Sequence, residues 1–334
     1  MEKAKAVRDP YFDNVKFVLI LLVIFGHVLA SNFYYPIERG IYNFIFSFHM
    51  PLFVFISGYF TEFNNKKKSI KGIFRIFETL ICFQIIHMLL SYAIGKEITL
   101  KSIIVPGYTL WYLLSLLCWR IALFITKPSP YSTKTIIISI LLFFAMGFVP
   151  ISTSFSFQRI FFFFPFFLMG FYSKHHDYLN KLPNISISNA LLVLSFILLV
   201  NVLATTFSIP SFIYDQRLFW GNTPYYNFSY SISFSIIMRF IYLIMATIMS
   251  MLVLKTIPHK NTKFTKYGQD TLFFYLYHSI LIVLLRFIIR SFSLPTNFGW
   301  LIIYALVIIT LLIYLRKISF LRFMLNPISN MKKL

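Results

Sequence analysis

The chain has 334 residues, of which 58% are hydrophobic, 20% aromatic and only 12% charged, with a mean hydropathy of +0.76. Soluble domains carry about a quarter charged residues, so that class is excluded. The net charge of +21 comes from 31 Lys and Arg against 10 Asp and Glu, and its cations cluster between apolar blocks, as loops between membrane spans do and nucleic-acid surfaces do not.

Crossing hydrocarbon takes about 20 apolar residues. About ten such segments are predicted, at roughly 15–33, 41–61, 73–94, 105–126, 135–152, 159–173, 187–208, 233–256, 271–292 and 297–316. With the N-terminus in the cytoplasm, 20 of the 31 Lys and Arg fall in inner segments, 6 in outer segments and 5 within spans. That asymmetry is expected of an even number of helices with both termini cytoplasmic. The predicted fold is all-α: a polytopic integral membrane helical bundle, one membrane-embedded domain over 1–334, multi-pass in a bacterial plasma membrane. Lys3, Lys5 and Arg8 before the first apolar core look like a signal peptide. Asp13, Lys16 and nine further apolar segments mark a retained helix instead. Cys82 and Cys118 lie within predicted spans, which suggests neither a disulfide framework nor a cysteine metal site. His175-His176-Asp177, between Lys174 and Lys181, reads as a solvated loop, so no metal is expected.

Ionisable side chains at membrane depth are expensive and read as functional. In the first span Lys16 and His27 are eleven residues apart. At 100° per residue that spacing returns His27 to within about 20° of Lys16, about 16 Å further along the axis. Asp13 falls on the same side. The second span contributes His49. In the third, Arg75 and Glu78 are spaced either to neutralise one another or to leave Arg75 for a ligand, and His87, three residues after Gln84, reads as a hydrogen-bonded core histidine. Arg120 either snorkels to inner headgroups or joins Arg75. Sorted by depth, Lys16, Arg75, Glu78, Arg120 and Asp270 make a cation-rich inner tier, suited to an anionic ligand entering from the cytoplasm. His27, His49, His87, Arg239 and Arg286 lie further out and His278 near the midplane, a set of imidazoles and guanidiniums suited to proton transfer and hydrogen bonds to hydroxyls. Arg286 and Arg290, one turn apart, read as interfacial anchors. The outer segment 213–227, with Asp215 and Trp220, suits sugar stacking or an aromatic interfacial belt. Phe161 to Pro165 reads as lipid or helix packing with a proline kink.

The pattern Arg8-Asp9-x3-Asp13-x2-Lys16-x10-His27 resembles the opening signature of the acyltransferase 3 family of integral-membrane O-acyltransferases, closest to the branch named for fucose 4-O-acetylase. Many members have Arg where Lys16 stands. Phe48-His49-Met50-Pro51-Leu52-Phe53 with Ser57-Gly58-Tyr59, then Leu110-Trp111-Tyr112-Leu113, then Tyr267-Gly268-Gln269-Asp270 with Tyr275-Leu276-Tyr277-His278 resemble later family elements, in family order. The resemblance implies transfer of an acyl group, usually acetyl, from cytoplasmic acetyl-CoA to a sugar hydroxyl of a cell-surface glycan or its lipid-linked precursor. It implies His27 as the catalytic base or acyl acceptor, with Lys16 and Asp13 as its partners and Lys16, Arg75 and Arg120 on the donor. His49, Trp111, Arg239, His278, Asp215 and Trp220 are then expected at the acceptor, with Arg239 or His49 stabilising the oxyanion. The alternative is a transporter or flippase for a lipid-linked sugar, against which no internal repeat is evident.

Overall fold

The computed structural model describes residues 9–30, 35–63, 65–129, 132–150, 156–179, 184–207 and 215–331. Lys3, Lys5, Arg8, Lys181, Lys332, Lys333, Ile213, Tyr214 and the end of the first predicted span beyond residue 30 lie outside them. The described residues are helical, with no strand among them.

Fifteen α-helices follow in order: α1 (Pro10–Leu29), α2 (Pro36–Tyr59), α3 (Lys66–Ala93), α4 (Leu100–Ile104), α5 (Trp111–Thr126), α6 (Thr133–Ala145), α7 (Phe157–His176), α8 (Ile187–Thr206), α9 (Arg217–Trp220), α10 (Ile232–Thr256), α11 (Thr265–Gly268), α12 (Thr271–Ser291), α13 (Phe298–Leu315), α14 (Ser319–Phe323) and α15 (Pro327–Met331). The long ones match the predicted segments one for one. Among the described residues seven, α1, α2, α3, α8, α10, α12 and α13, are long and apolar enough to cross a membrane by themselves. The segment predicted at 105–126 yields a helix of only 16 residues, because Pro106 and Gly107 occupy a turn before α5. The one predicted at 135–152 stops after 13 residues and tightens into a 3₁₀ turn at Met146–Phe148. Helix starts follow local chemistry. Asp9 accepts a hydrogen bond from Tyr11 N at 2.9 Å, and Pro10 sits in the first turn, both standard N-terminal devices. Asn65, Ser186, Ser231 and Asn297 cap α3, α8, α10 and α13 in the same way.

The two most buried helices, α1 and α2, form the centre. Around α2 lie α7, α8 and α10; α1 contacts α11, α12 and α13. The closest crossing is reciprocal. A Cβ on Gly58 of α2 would overlap Phe167 O of α7, and one on Gly170 of α7 would overlap Phe55 O of α2. Small residues at such crossings let helix backbones touch, which is how membrane helices gain packing energy when lipid is as apolar as leucine. Outward faces remain greasy: Ile81, Ile85 and Leu89 on α3, Leu191, Leu192 and Phe196 on α8, Leu306 and Val307 on α13 are exposed. An apolar surface this continuous is not that of a monomer in water; the chain is a membrane protein.

Polar contacts close one end of the bundle. Asn14 Nδ2 donates to Pro258 O at 2.8 Å and Lys260 O at 3.0 Å, while Thr265 Oγ1 donates to Asn14 Oδ1 at 2.6 Å. Gly268 lies against the Asp13 backbone, where a side chain would not fit. Asp270 pairs with Arg316 at 2.6 Å and Arg322 at 2.7 Å. The C-terminal segment then turns back under α3: Thr79 Oγ1 donates to Leu325 O at 2.5 Å, and Ser329 N donates to Glu78 Oε2 at 2.9 Å. Glu78 Oε2 is taken by the C-terminal segment, and of the two readings of the Arg75–Glu78 spacing the described residues show no ion pair between them. At the same end Glu62 joins Lys174 and Lys68, and the Lys174 ammonium holds its carboxyl below the usual range.

Candidate active site

His27 lies in the last turn of α1, packed against side chains of α2, α12 and the loop before α5. Its Nδ1 is 3.1 Å from Tyr108 Oη. Arg286 Nη2 donates to that same phenol oxygen at 2.8 Å and to His27 O at 3.2 Å. Arg286 was expected at the interface as an anchor; its guanidinium instead turns inward and fixes both partners of the His27 contact. Tyr108 is held by its own loop. Gln84 of α3 donates to Ser102 O at 2.8 Å and Val105 O at 3.0 Å and accepts from Gly107 N at 2.8 Å. From the other side Tyr275 of α12 donates to Thr109 O. A clamped loop lets a tyrosine serve as a fixed polar group at membrane depth.

Two further imidazoles face His27. The His278 ring centre is 5.6 Å away; its Nδ1 is 3.1 Å from Phe274 O, and its Nε2 is buried without a partner. His49 Nδ1 contacts Ile45 O at 2.8 Å, and its ring lies 4.5 Å from that of Phe46, which is itself edge-on to His27 at 5.6 Å. When Nδ1 donates to the helix carbonyl, each Nε2 presents a lone pair to the interior. A ring of aromatic and cationic groups continues outward. Phe46 stacks on Tyr42 at 3.7 Å, Trp220 Nε1 donates to Tyr42 Oη at 2.9 Å, and Arg159 Nε donates to Trp220 O at 2.9 Å. The Arg159 guanidinium sits 5.0 Å over Trp111. Thus His27, His49, His278, Trp111 and Trp220 are brought into one neighbourhood.

Two cavities approach this cluster from opposite ends. The first, about 460 Å³, is lined by Lys16, Arg75 and Arg120 and reaches inward past Ser57, Tyr112 and Tyr275 to Val23 and Met50, one turn and one residue from His27 and His49. Its mouth adjoins a smaller cavity, about 280 Å³, with Lys68 and Lys71 on its lip and Arg75 and Arg120 shared. The Arg120 Nε is buried with no partner, an unspent donor that suits an anionic ligand. The second cavity, about 840 Å³, is walled by Tyr108, Arg286, His87, Lys96 and Arg290. His87 contacts Ser279 Oγ at 2.9 Å.

The other expected site residues fall elsewhere. Lys16 pairs with Asp13 at 3.1 Å at the mouth of the first cavity. Eleven residues of helix put Lys16 about 16 Å from His27, so Lys16 and Asp13 can act on a donor and not on the reacting atoms. Arg239 is removed from the cluster. Its Nη1 donates to Phe143 O at 2.8 Å, its Nη2 to Thr223 O at 3.3 Å, and it lies 4.6 Å over Tyr225. A guanidinium so enclosed is structural, and the expected oxyanion role has no geometric support. Asp215 pairs with Arg217 at 2.6 Å, and Arg217 also holds Asn227 O at 2.7 Å, which stabilises a loop. Sequence reasoning missed Tyr108, Arg159 and the inward turn of Arg286. The Pro106-Gly107-Tyr108 turn just before the Trp111 element was the available signal for Tyr108.

No solved structure matches this chain. Nodulation protein NolL of Sinorhizobium fredii is 45% identical over 56 residues, which is 16% of this chain and only 15% of that protein's length. The family described as an acyltransferase domain, acyltransferase 3, matches residues 9–316, and so takes in His27, both cavities and nearly every helix of the bundle. The chain belongs to the acyltransferase 3 family.

Proposed function

We propose that the protein is an O-acetyltransferase that moves the acetyl group of cytoplasmic acetyl-CoA to a sugar hydroxyl of a cell-surface polysaccharide or its lipid-linked precursor, in a bacterial plasma membrane. The observation that carries this reading is the position of His27 between two cavities of different chemistry. Lys16, Arg75 and Arg120 suit the phosphates of coenzyme A, and the apolar throat beyond them suits its thin pantetheine arm. The charge asymmetry of the loops supports a cytoplasmic position for that end. On the other side Tyr108 and Arg286 receive the acceptor.

His27 takes the proton of the sugar hydroxyl as that oxygen attacks the thioester carbonyl. The carbon–sulfur bond breaks and the proton leaves with the thiolate. General-base help of this kind contributes about 10²–10⁴ in rate. Alternatively His27 carries the acyl group itself before the sugar receives it. In both courses Tyr108 and Arg286 hold His27 in position, and the unpartnered Nε2 of His278, or the Nε2 of His49, accepts a hydrogen bond from the acceptor sugar. Those two nitrogens are acceptors in this tautomer, so the donors to the oxyanion are Tyr108 and the cations Arg286 and Arg159.

The test is direct. The purified chain in liposomes should bind acetyl-CoA and release free coenzyme A when given the glycan of its own host, and a deletion strain should display surface glycan lacking acetyl groups. Loss of the glycan itself from the surface, with no acetyl-CoA binding by the purified protein, would reject the proposal in favour of transport.

A further inference from the structure

The 840 Å³ cavity on the acceptor side has a charge bias that sugar binding alone does not require. Lys96, Arg286 and Arg290 line it, and no Asp or Glu is among its lining residues. Among the described residues, neither Lys96 nor Arg290 has a carboxylate partner. Neutral sugars are held by aromatic faces and by paired donors and acceptors. Here the carboxylates that normally accompany such donors are missing. Of the side chains that can accept there, Gln84 clamps the Tyr108 loop, His87 contacts Ser279 and Ser102 bonds to Thr99, which leaves hydroxyls such as that of Ser91 but no carboxylate among the described lining residues.

Position sharpens the point. Arg290 is one helical turn beyond Arg286 on α12, and Arg286 touches Tyr108 and His27. Lys96 follows the end of α3 at the rim of the same cavity. The three cations therefore mark a track from the rim down to the reacting imidazole. We infer that the acceptor is an anionic saccharide, bearing a phosphate or a carboxylate close to the hydroxyl that is acetylated. Lys96 and Arg290 hold the oxyanion and so place the hydroxyl over His27. This inference rests on the acyl-transfer reading above and adds the class of acceptor to it.

Binding tests it on the full chain in detergent. With coenzyme A saturating the donor cavity, three matched probes are titrated and read by thermal stability: methyl glucoside, glucose 1-phosphate and methyl glucuronoside. Charge-assisted hydrogen bonds are worth roughly a factor of ten or more, so one or both anions should bind about tenfold tighter than the neutral sugar. The preference should shrink as salt rises from about 0.02 M to 0.3 M. Tighter binding of glucose 1-phosphate assigns the charge to a phosphate linkage, and tighter binding of the glucuronoside assigns it to an acidic sugar. The double variant K96Q/R290Q should lose the preference, whereas R75Q/R120Q should keep it. Equal binding of all three probes overturns the inference. So does a preference lost in R75Q/R120Q and retained in K96Q/R290Q, because the anions would then sit in the donor cavity. A wild-type chain that coenzyme A does not stabilise counts against the acyl-CoA reading instead, and that measurement is made before any sugar is added.

Discussion

At the scale of single residues, the proposed chemistry rests on one imidazole and the two groups that contact it, Tyr108 and Arg286. His27→Gln keeps a hydrogen-bonding side chain of similar reach but supplies no base and no acyl acceptor, so transfer should fall by on the order of a hundredfold or more while the protein still inserts. Near-normal coenzyme A release by that variant would reject His27 as the catalytic group. Tyr108→Phe keeps the ring packed against His27 at 5.1 Å and removes only the oxygen that links Arg286 to Nδ1. Its kcat should drop about tenfold, the scale of one charge-assisted hydrogen bond, with acetyl-CoA binding unaltered. A change confined to donor affinity would place Tyr108 outside the acceptor site. Not all of this was legible in the sequence. Lys16 and His27 stand out because an ion inside an apolar run has few innocent explanations. Arg239 and Arg286 show the limit of that logic. Both are arginines deep in spans, and only the direction of the guanidinium separates them: one ends on carbonyls among aromatic rings, the other beside the imidazole. Side-chain direction of that kind is set by tertiary packing.

At the scale of elements, motifs far apart in the chain prove to be single packing units. The opening segment with Asp13 and Asn14 and the late segment with Gly268 are about 250 residues apart, yet Asn14 bonds to Pro258, Lys260 and Thr265, and Gly268 abuts Asp13. The sequence shows both motifs but not that they touch, because nothing local encodes a contact across that separation. The same holds for the loop that presents Tyr108, whose shape is dictated by Gln84 on another helix. Gln84→Ala removes three hydrogen bonds to that loop and should lower turnover while coenzyme A binding persists. Unchanged turnover would mean that Tyr275 and packing hold the loop without it. Gly170→Val tests the central crossing. Its side chain would be driven into the Phe55 carbonyl, so the α2–α7 contact must open, at about 1–3 kcal/mol as overpacked cores do. The thermal midpoint in detergent should drop accordingly, and an unaltered midpoint would show the crossing to be looser than described.

At the scale of the whole molecule, composition was enough to state the class, an all-helical membrane protein, whereas the lengths of individual spans were not legible: of the ten predicted, seven helices among the described residues are long and apolar enough to cross a membrane. Prolines and 3₁₀ turns shorten α5 and α6, and neighbouring helices stabilise them where hydropathy alone would not. Orientation has a sharp test because the fold separates the two ends. Thr205 Oγ1 donates to Pro36 O at 2.8 Å, so the C-terminal end of α8 lies at the same end as the start of α2. The other end of α2 leads to Glu62, near the lysines that begin α3 and the mouth of the cavity proposed for the donor. Acetyl-CoA is made inside cells, so the donor mouth must face the cytoplasm if the proposed reaction is correct. With Cys82 and Cys118 replaced by Ser, a cysteine at Lys67 should resist a membrane-impermeant thiol reagent added to intact cells, and one at Tyr226 should react. Both positions are exposed in the fold, so a failure to label reflects the membrane and not burial. The reverse pattern would turn the donor cavity to the cell exterior, where no acetyl-CoA is available, and would contradict the charge asymmetry and the proposed chemistry at once.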